Sequence, residues 1–145
     1  MSQKERNKVL KTKIALIQLK TAIQLYNKEN YIAAITLAGA SEEILGQLAL
    51  KKTGNNSNLS MKYFFDQIAE IDNKPKPALG KIIKVKNKVK NELKHHDSEN
   101  DYSINYDFKF EAEEYILGAI LNYKLLTNEV PNDIVIKRFY NWQCL

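Results

Sequence analysis

A chain of 145 residues with 44% apolar and 27% charged content has the material for one buried core, which excludes a disordered or low-complexity protein. The formal charge of +5, from 22 lysines and arginines against 17 acids, is compatible with a polyanionic partner without requiring one. Only Arg6 and Arg138 are arginines, and that scarcity argues against sequence-specific reading of DNA base edges.

Val9 to Tyr26 has the helical period, with Leu10, Ile14, Ile17 and Leu25 predicted to face inward and Ala22 nearby. "NKEN" interrupts it, and a second helix is predicted from Tyr31 to about Lys52. That segment is apolar nearly all round as far as Ser41, the pattern of a helix at the centre of a bundle. Its "LAGAS" stretch is small enough for a close neighbour, and Gly54 suits the C-terminal cap. Glu42 and Glu43 follow. A buried Glu42 requires a cation, with Lys90 or a histidine expected to serve; the alternative has both acids emerging to meet Lys51 or water.

Thr53 to Ser60 is predicted to be a loop, with Ser60 capping a third helix from Met61 to Ile71. After Pro75 and Pro77 comes Ala78 to His96, which carries two competing periods. Ile83, Val85 and Val89 alternate with Lys84, Lys86, Lys88 and Lys90, as in an amphipathic strand. Leu79, Ile82, Ile83, Val89 and Leu93 also trace a helical stripe, and with no strand partner in sight the helix is the expected form. Phe108 to Leu126 is a further helix whose apolar side includes Phe110, Ala112, Tyr115, Ile116, Ala119, Ile120 and Tyr123. Pro131 is expected to open a short last helix, with Phe139 and Trp142 docking on the bundle or on a second subunit.

These elements predict a single all-α domain over residues 1–145, an antiparallel bundle of four main helices with short additional ones. The lone cysteine, Cys144, permits neither an internal disulfide nor a thiolate metal cluster. No run approaches the roughly 18 apolar residues of a membrane span, and "MSQKERNKVLKTK" is unlike a signal peptide. A cytoplasmic protein without membrane attachment is expected.

The chemistry concentrates in "KVKNKVKNELKHHD", Lys84 to Asp97. On a helix Asn87, Asn91 and His95 stack on one side, flanked by lysines and away from the apolar stripe. A titratable imidazole beside an amide and ammonium groups suits metal-free phosphodiester cleavage, in which cations hold the phosphate and proton carriers serve the 2′-hydroxyl and the leaving oxygen. The competing reading is a solvated lysine flank that ends at a histidine pair. A metal site from His95, His96 and Asp97 is discounted because adjacent histidines diverge on a helix. Tyr102, Tyr106 and Phe108 offer rings on which bases stack, although Tyr106 and Phe108 also suit core anchors.

The "AAITLAGASEEILGQL" helix followed by "VKNELKHHD" resembles the HEPN (higher eukaryotes and prokaryotes nucleotide-binding) superfamily, and the layout of residues 10–140 is similar to small bacterial HEPN-like proteins. The family signature is an arginine, a polar residue, three variable residues and a histidine, matched here by Lys90, Asn91, Glu92–Leu93–Lys94 and His95. The resemblance implies a homodimer, RNA as ligand and, in many members, metal-independent endoribonuclease activity in toxin–antitoxin or defence systems, with no cofactor. It assigns His95 as the catalytic acid or base, Asn91 as its orienting partner and Lys90 in the arginine's place. Lysine supplies the charge there without the two-point grip of a guanidinium. Lys84, Lys86, Lys88, Lys94 and His96 are expected to guide the RNA backbone, with Glu42 in support. The other outcome the resemblance allows is an inactive module that binds nucleotides or a partner protein, such as an antitoxin or a nucleotidyltransferase.

Overall fold

The computed structural model describes residues 8–95 and 103–144, and every regular element among them is an α-helix. In chain order these are α1 (Lys11–Asn27), α2 (Tyr31–Thr53), α3 (Ser57–Ile71), α4 (Leu79–Lys86), α5 (Lys88–Glu92), α6 (Phe108–Thr127) and α7 (Ile134–Cys144). No described helix is long and apolar enough to cross a membrane.

The 23-residue α2 is the axis of the bundle, packed along α1 on one side and α6 on another. Asn30 opens α2 by accepting from the Ala33 amide at 3.4 Å. Gly54 closes it in the left-handed conformation (φ 74°), which a residue without a β-carbon adopts at no steric cost. Both ends lie where the sequence predicts them.

The inward face of α1 differs from the prediction. Ala15, Leu19, Ala22, Ile23 and Tyr26 are buried, whereas Leu10 and Ile17 are 70% and 55% exposed. Two apolar stripes run along α1, and the partner selects between them. The facing side of α2 offers Ala34, Ala38 and Ser41, so the stripe with alanines comes closest, and the Ser41 hydroxyl donates to the Ala15 carbonyl at 2.7 Å. The larger stripe is left outside.

Three further boundaries move. Asn56, not Ser60, caps α3, accepting from the Leu59 amide at 3.1 Å, so the predicted loop shrinks by a helical turn. Regular helix is interrupted once, at Asn87, dividing the predicted Ala78–His96 helix into α4 and α5. The bonds from Asn87 N–H to Ile83 and from Asn91 N–H to Asn87, both 2.9 Å, carry the helical phase across that turn. Asp133 caps α7 instead of Pro131, accepting from the amides of Val135 (2.9 Å) and Ile136 (3.1 Å). Burial works to raise the Asp133 carboxyl, but the Lys20 ammonium and these two amides outweigh it and hold the carboxyl low.

Tyr106 and Phe108 pack against the core, and Phe139 meets the edge of Tyr26 at 5.4 Å. Phe110, expected on the apolar side of α6, is exposed, and so is Trp142, expected to dock on the bundle or on a second subunit. The α3–α4 pair packs on itself and touches α6 only lightly.

Candidate nucleic-acid interface

The lysine alternation of Lys84 to Lys90 resolves into two faces of one helical path. Lys84, Lys88, Asn91 and His95 follow one another at helical spacing, and all four are exposed. Lys81, which the sequence did not single out, precedes them on the same stripe, and Lys94 is exposed beside it. None of Lys84, Lys88 and Lys94 takes part in an ion pair among the described residues. The opposite stripe holds Ile82, Lys86, Val89 and Lys90 and turns toward α2.

Two lysines expected at the surface therefore sit inside. Lys86, predicted to steer a phosphate backbone, is largely enclosed, and its ammonium pairs with Glu42 Oε1. The same ammonium donates to Asn58 Oδ1 at 2.8 Å and to Ser57 Oγ at 3.4 Å. The cation that answers buried Glu42 is thus Lys86, neither Lys90 nor a histidine. Lys90, predicted to sit in the catalytic trio, is 4% exposed and reaches Glu43 Oε2 at 3.3 Å. Its stem crosses Gly39, where an added β-carbon would stand 2.4 Å from Lys90 Cδ. The small-residue patch of α2 thus admits a lysine stem at Gly39, while Ser41 meets the α1 backbone as a close neighbouring helix allows. The reason for both corrections is phase: Lys86 and Lys90 fall one turn apart on the side that faces α2, and each meets a glutamate there.

A polar seam holds this arrangement in place, and no periodicity along the chain marks it. Asn122 of α6 is buried, donating to the Glu42 carbonyl at 3.1 Å and accepting from the Ser57 amide at 2.7 Å. Gly118 of α6 leaves room for the Glu42 side chain, since a β-carbon there would come within 3.2 Å of it. Glu42 Oε2 is buried with no hydrogen-bond partner, a cost that the Lys86 contact on Oε1 offsets. The Tyr115 hydroxyl donates to the Lys86 carbonyl, and burial pushes its phenol far above the usual tyrosine range, so it serves as a neutral donor. Such a seam is structural: every member is spent on another.

His95 stands alone at the end of the stripe. Its backbone N–H donates to the Asn91 carbonyl at 3.2 Å, and its side chain is exposed. It lines neither the hollow between α3, α4 and α6 nor the one beside Tyr26 and Phe139. His96, Asp97 and Tyr102 lie outside the described residues, and with them two members of the discounted metal set. Among the described residues no three histidine, cysteine or acidic side chains are grouped to hold a metal ion.

In comparisons with known proteins, no family model, no curated protein and no solved structure matches this chain.

Proposed function

We propose that the chain binds RNA along the exposed stripe of α4 and α5, with Lys84, Lys88 and Lys94 on phosphates and Asn91 and His95 at the end of the track. In this reading the bundle is HEPN-like in its arrangement of four main helices. One observation carries it: of the five lysines from Lys84 to Lys94, Lys86 and Lys90 are spent on glutamates, while Lys84, Lys88 and Lys94 face water with no acidic partner among the described residues. Solvated, unpaired ammonium groups at helical spacing attract a polyanion at little desolvation cost. The scarcity of arginine favours backbone contact over base reading.

Cleavage is the second reading, and the exposure of Asn91 and His95 one turn apart favours it. Lys90 is too enclosed to grip a phosphate in this arrangement, so a cleaving site requires its cation from Lys88, Lys94 or the second copy of a homodimer. The test incubates RNA with the chain in excess chelator, beside His95→Ala. Cleavage that persists in chelator and disappears in the variant supports the nuclease. Salt-sensitive binding without cleavage in either protein supports a binder alone. Absence of both turns the assignment to an inactive module for protein partners.

A further inference from the structure

The outer stripe of α1 stands exposed on the bundle. Leu10, Ile14 and Ile17 follow one another at i, i+4 and i+7, with Val9 exposed beside them. At about 100° per residue the three fall within about 60° of one another. The Ile14 amide donates to the Leu10 carbonyl at 3.1 Å, which carries the helical phase to the start of the row. None of the three lines the hollow between α3, α4 and α6 or the one beside Tyr26 and Phe139, so the row is a ridge. Thr21 and Gln24 continue its line as polar positions.

Positive charge gathers around this ridge. Seven of the 22 lysines and arginines lie between Met1 and Lys28 with a single acid, Glu5, so the rest of the chain carries 15 cations against 16 acids. The positive balance of the whole protein therefore belongs to α1 and the residues that flank it. No acid occurs within α1. Lys11 stands on one side of the ridge and Lys13 and Lys20 on the other. Lys20 meets Asp133 at 3.0 Å, while Lys11 and Lys13 are exposed and take part in no ion pair among the described residues.

Shape and charge together select the occupant. A second copy of the chain would set lysines against lysines across the paired ridges. A partner helix would find less than two heptads of apolar seam, short of the three or four that sustain a coiled coil. Nucleic acid would take the cations and leave three aliphatic side chains in water. A bilayer surface rich in anionic lipid is planar, accepts aliphatic side chains at the boundary of headgroups and acyl chains, and draws in ammonium groups whose stems lie along it. We propose that α1 docks on such a surface, with Leu10, Ile14 and Ile17 entering it and Lys11, Lys13 and Lys20 on the headgroups. Three aliphatic side chains with a few lysines make this attachment reversible. The expectation of no membrane attachment rested on the lack of a span or signal peptide, and surface docking needs neither. The ridge is separate from the α4–α5 stripe, so the inference stands without the RNA reading.

The test is flotation of the full chain with vesicles of phosphatidylcholine and phosphatidylglycerol in equal parts, beside vesicles of phosphatidylcholine alone. The chain should float with the mixed vesicles and bind the neutral ones about tenfold more weakly. Leu10→Gln/Ile17→Gln keeps every charge and should lose about tenfold in affinity for the mixed vesicles, since apolar burial contributes beside charge. Lys11→Gln/Lys13→Gln should lose several-fold, and Lys84→Ala/Lys88→Ala should bind as the wild type does. All of these positions are exposed, and circular dichroism checks that each variant is helical. Four results would overturn the proposal. They are no binding to the mixed vesicles, undiminished binding by Leu10→Gln/Ile17→Gln (adhesion of a basic protein through charge alone), an equal loss for Lys84→Ala/Lys88→Ala, and a dimer of the chain that Ile17→Asp separates, which would make the occupant a second copy.

Discussion

Lys90 lies across Gly39 so closely that a β-carbon on the glycine would stand 2.4 Å from the lysine Cδ. The two residues occupy one space on adjoining helices, and each is tolerated only because of the other. Gly39→Ala in the native chain should therefore destabilise, because the lysine stem must leave and its buried packing on α2 is lost. In a Lys90→Ala background the same substitution should stabilise by up to about 1 kcal/mol, since alanine is the better helix former once the space is free. A denaturant-melt double-mutant cycle reads this change of sign. Costs that simply add would mean that the pair does not share the space.

Lys86 and Glu42 give a second test. Lys86→Met leaves a carboxylate enclosed between α2, α4 and α6 with no cation, and loss of one partner of such a pair costs about 3–5 kcal/mol. The double change Lys86→Met with Glu42→Leu removes both charges and should recover most of that loss. Thermal melts of the three variants decide it. If Lys86→Met melts with the wild type, the ion pair contributes nothing to the fold.

Much of the fold was legible in the chain, and apart from the local caps at Asn56 and Asp133 the misses share a physical cause. The ends of α2 were readable because Asn30 and Gly54 do their work within a few residues of themselves. Helix over strand at Lys84 to Lys90 was also decidable, because no second strand existed to pair. What failed was every question settled by a neighbouring helix. Leu10, Ile14 and Ile17 form as good a stripe as Ala15, Leu19 and Ala22, and only the narrow face of α2 chooses between them. Lys86 and Lys90 look like Lys84 and Lys88 until Glu42 and Glu43 are placed opposite them. Asn122 lies alone in an apolar run, and Ser57 and Asn58 in a stretch that reads as loop, so the seam they build depends on contacts across the chain. The aromatic face of α3 reads as core by composition, and nothing local says that Phe64 and Phe65 stand exposed among the described residues.

Glu111 and Glu114 predict how stability changes with pH. Burial is the larger cause of the upward shift in both; Glu114 and Asp107 add to it at Glu111, while at Glu114 the Lys86 ammonium opposes and Glu113 adds. A carboxyl held up in the folded chain binds its proton more tightly there than in the unfolded chain. Its contribution to stability is present below the ordinary glutamate range and is lost as pH rises through the raised value. At neutral pH both residues therefore cost stability. Glu111→Gln and Glu114→Gln should each raise the melting temperature at pH 7, with the gain shrinking toward zero near pH 4, about the unperturbed glutamate value. A gain that grows on acidification would have the wrong sign for this account.

The division of the lysines makes the last prediction, and salt is the instrument that reads it. An ammonium that contacts a phosphate releases a counterion, so the logarithm of the RNA binding constant should fall by about 0.7 per contact for each unit of log salt on a single strand. Lys84→Ala and Lys88→Ala should each weaken RNA binding and flatten that slope by nearly this amount, while the melting temperature stays within a degree or two of wild type. Lys86→Met should do the reverse, lowering the melting temperature and leaving the slope of the remaining folded protein unchanged. The two classes of lysine differ by what stands in front of them, a glutamate or water. Lysine variants that all flatten the slope equally would erase that difference and return Lys86 to the surface track.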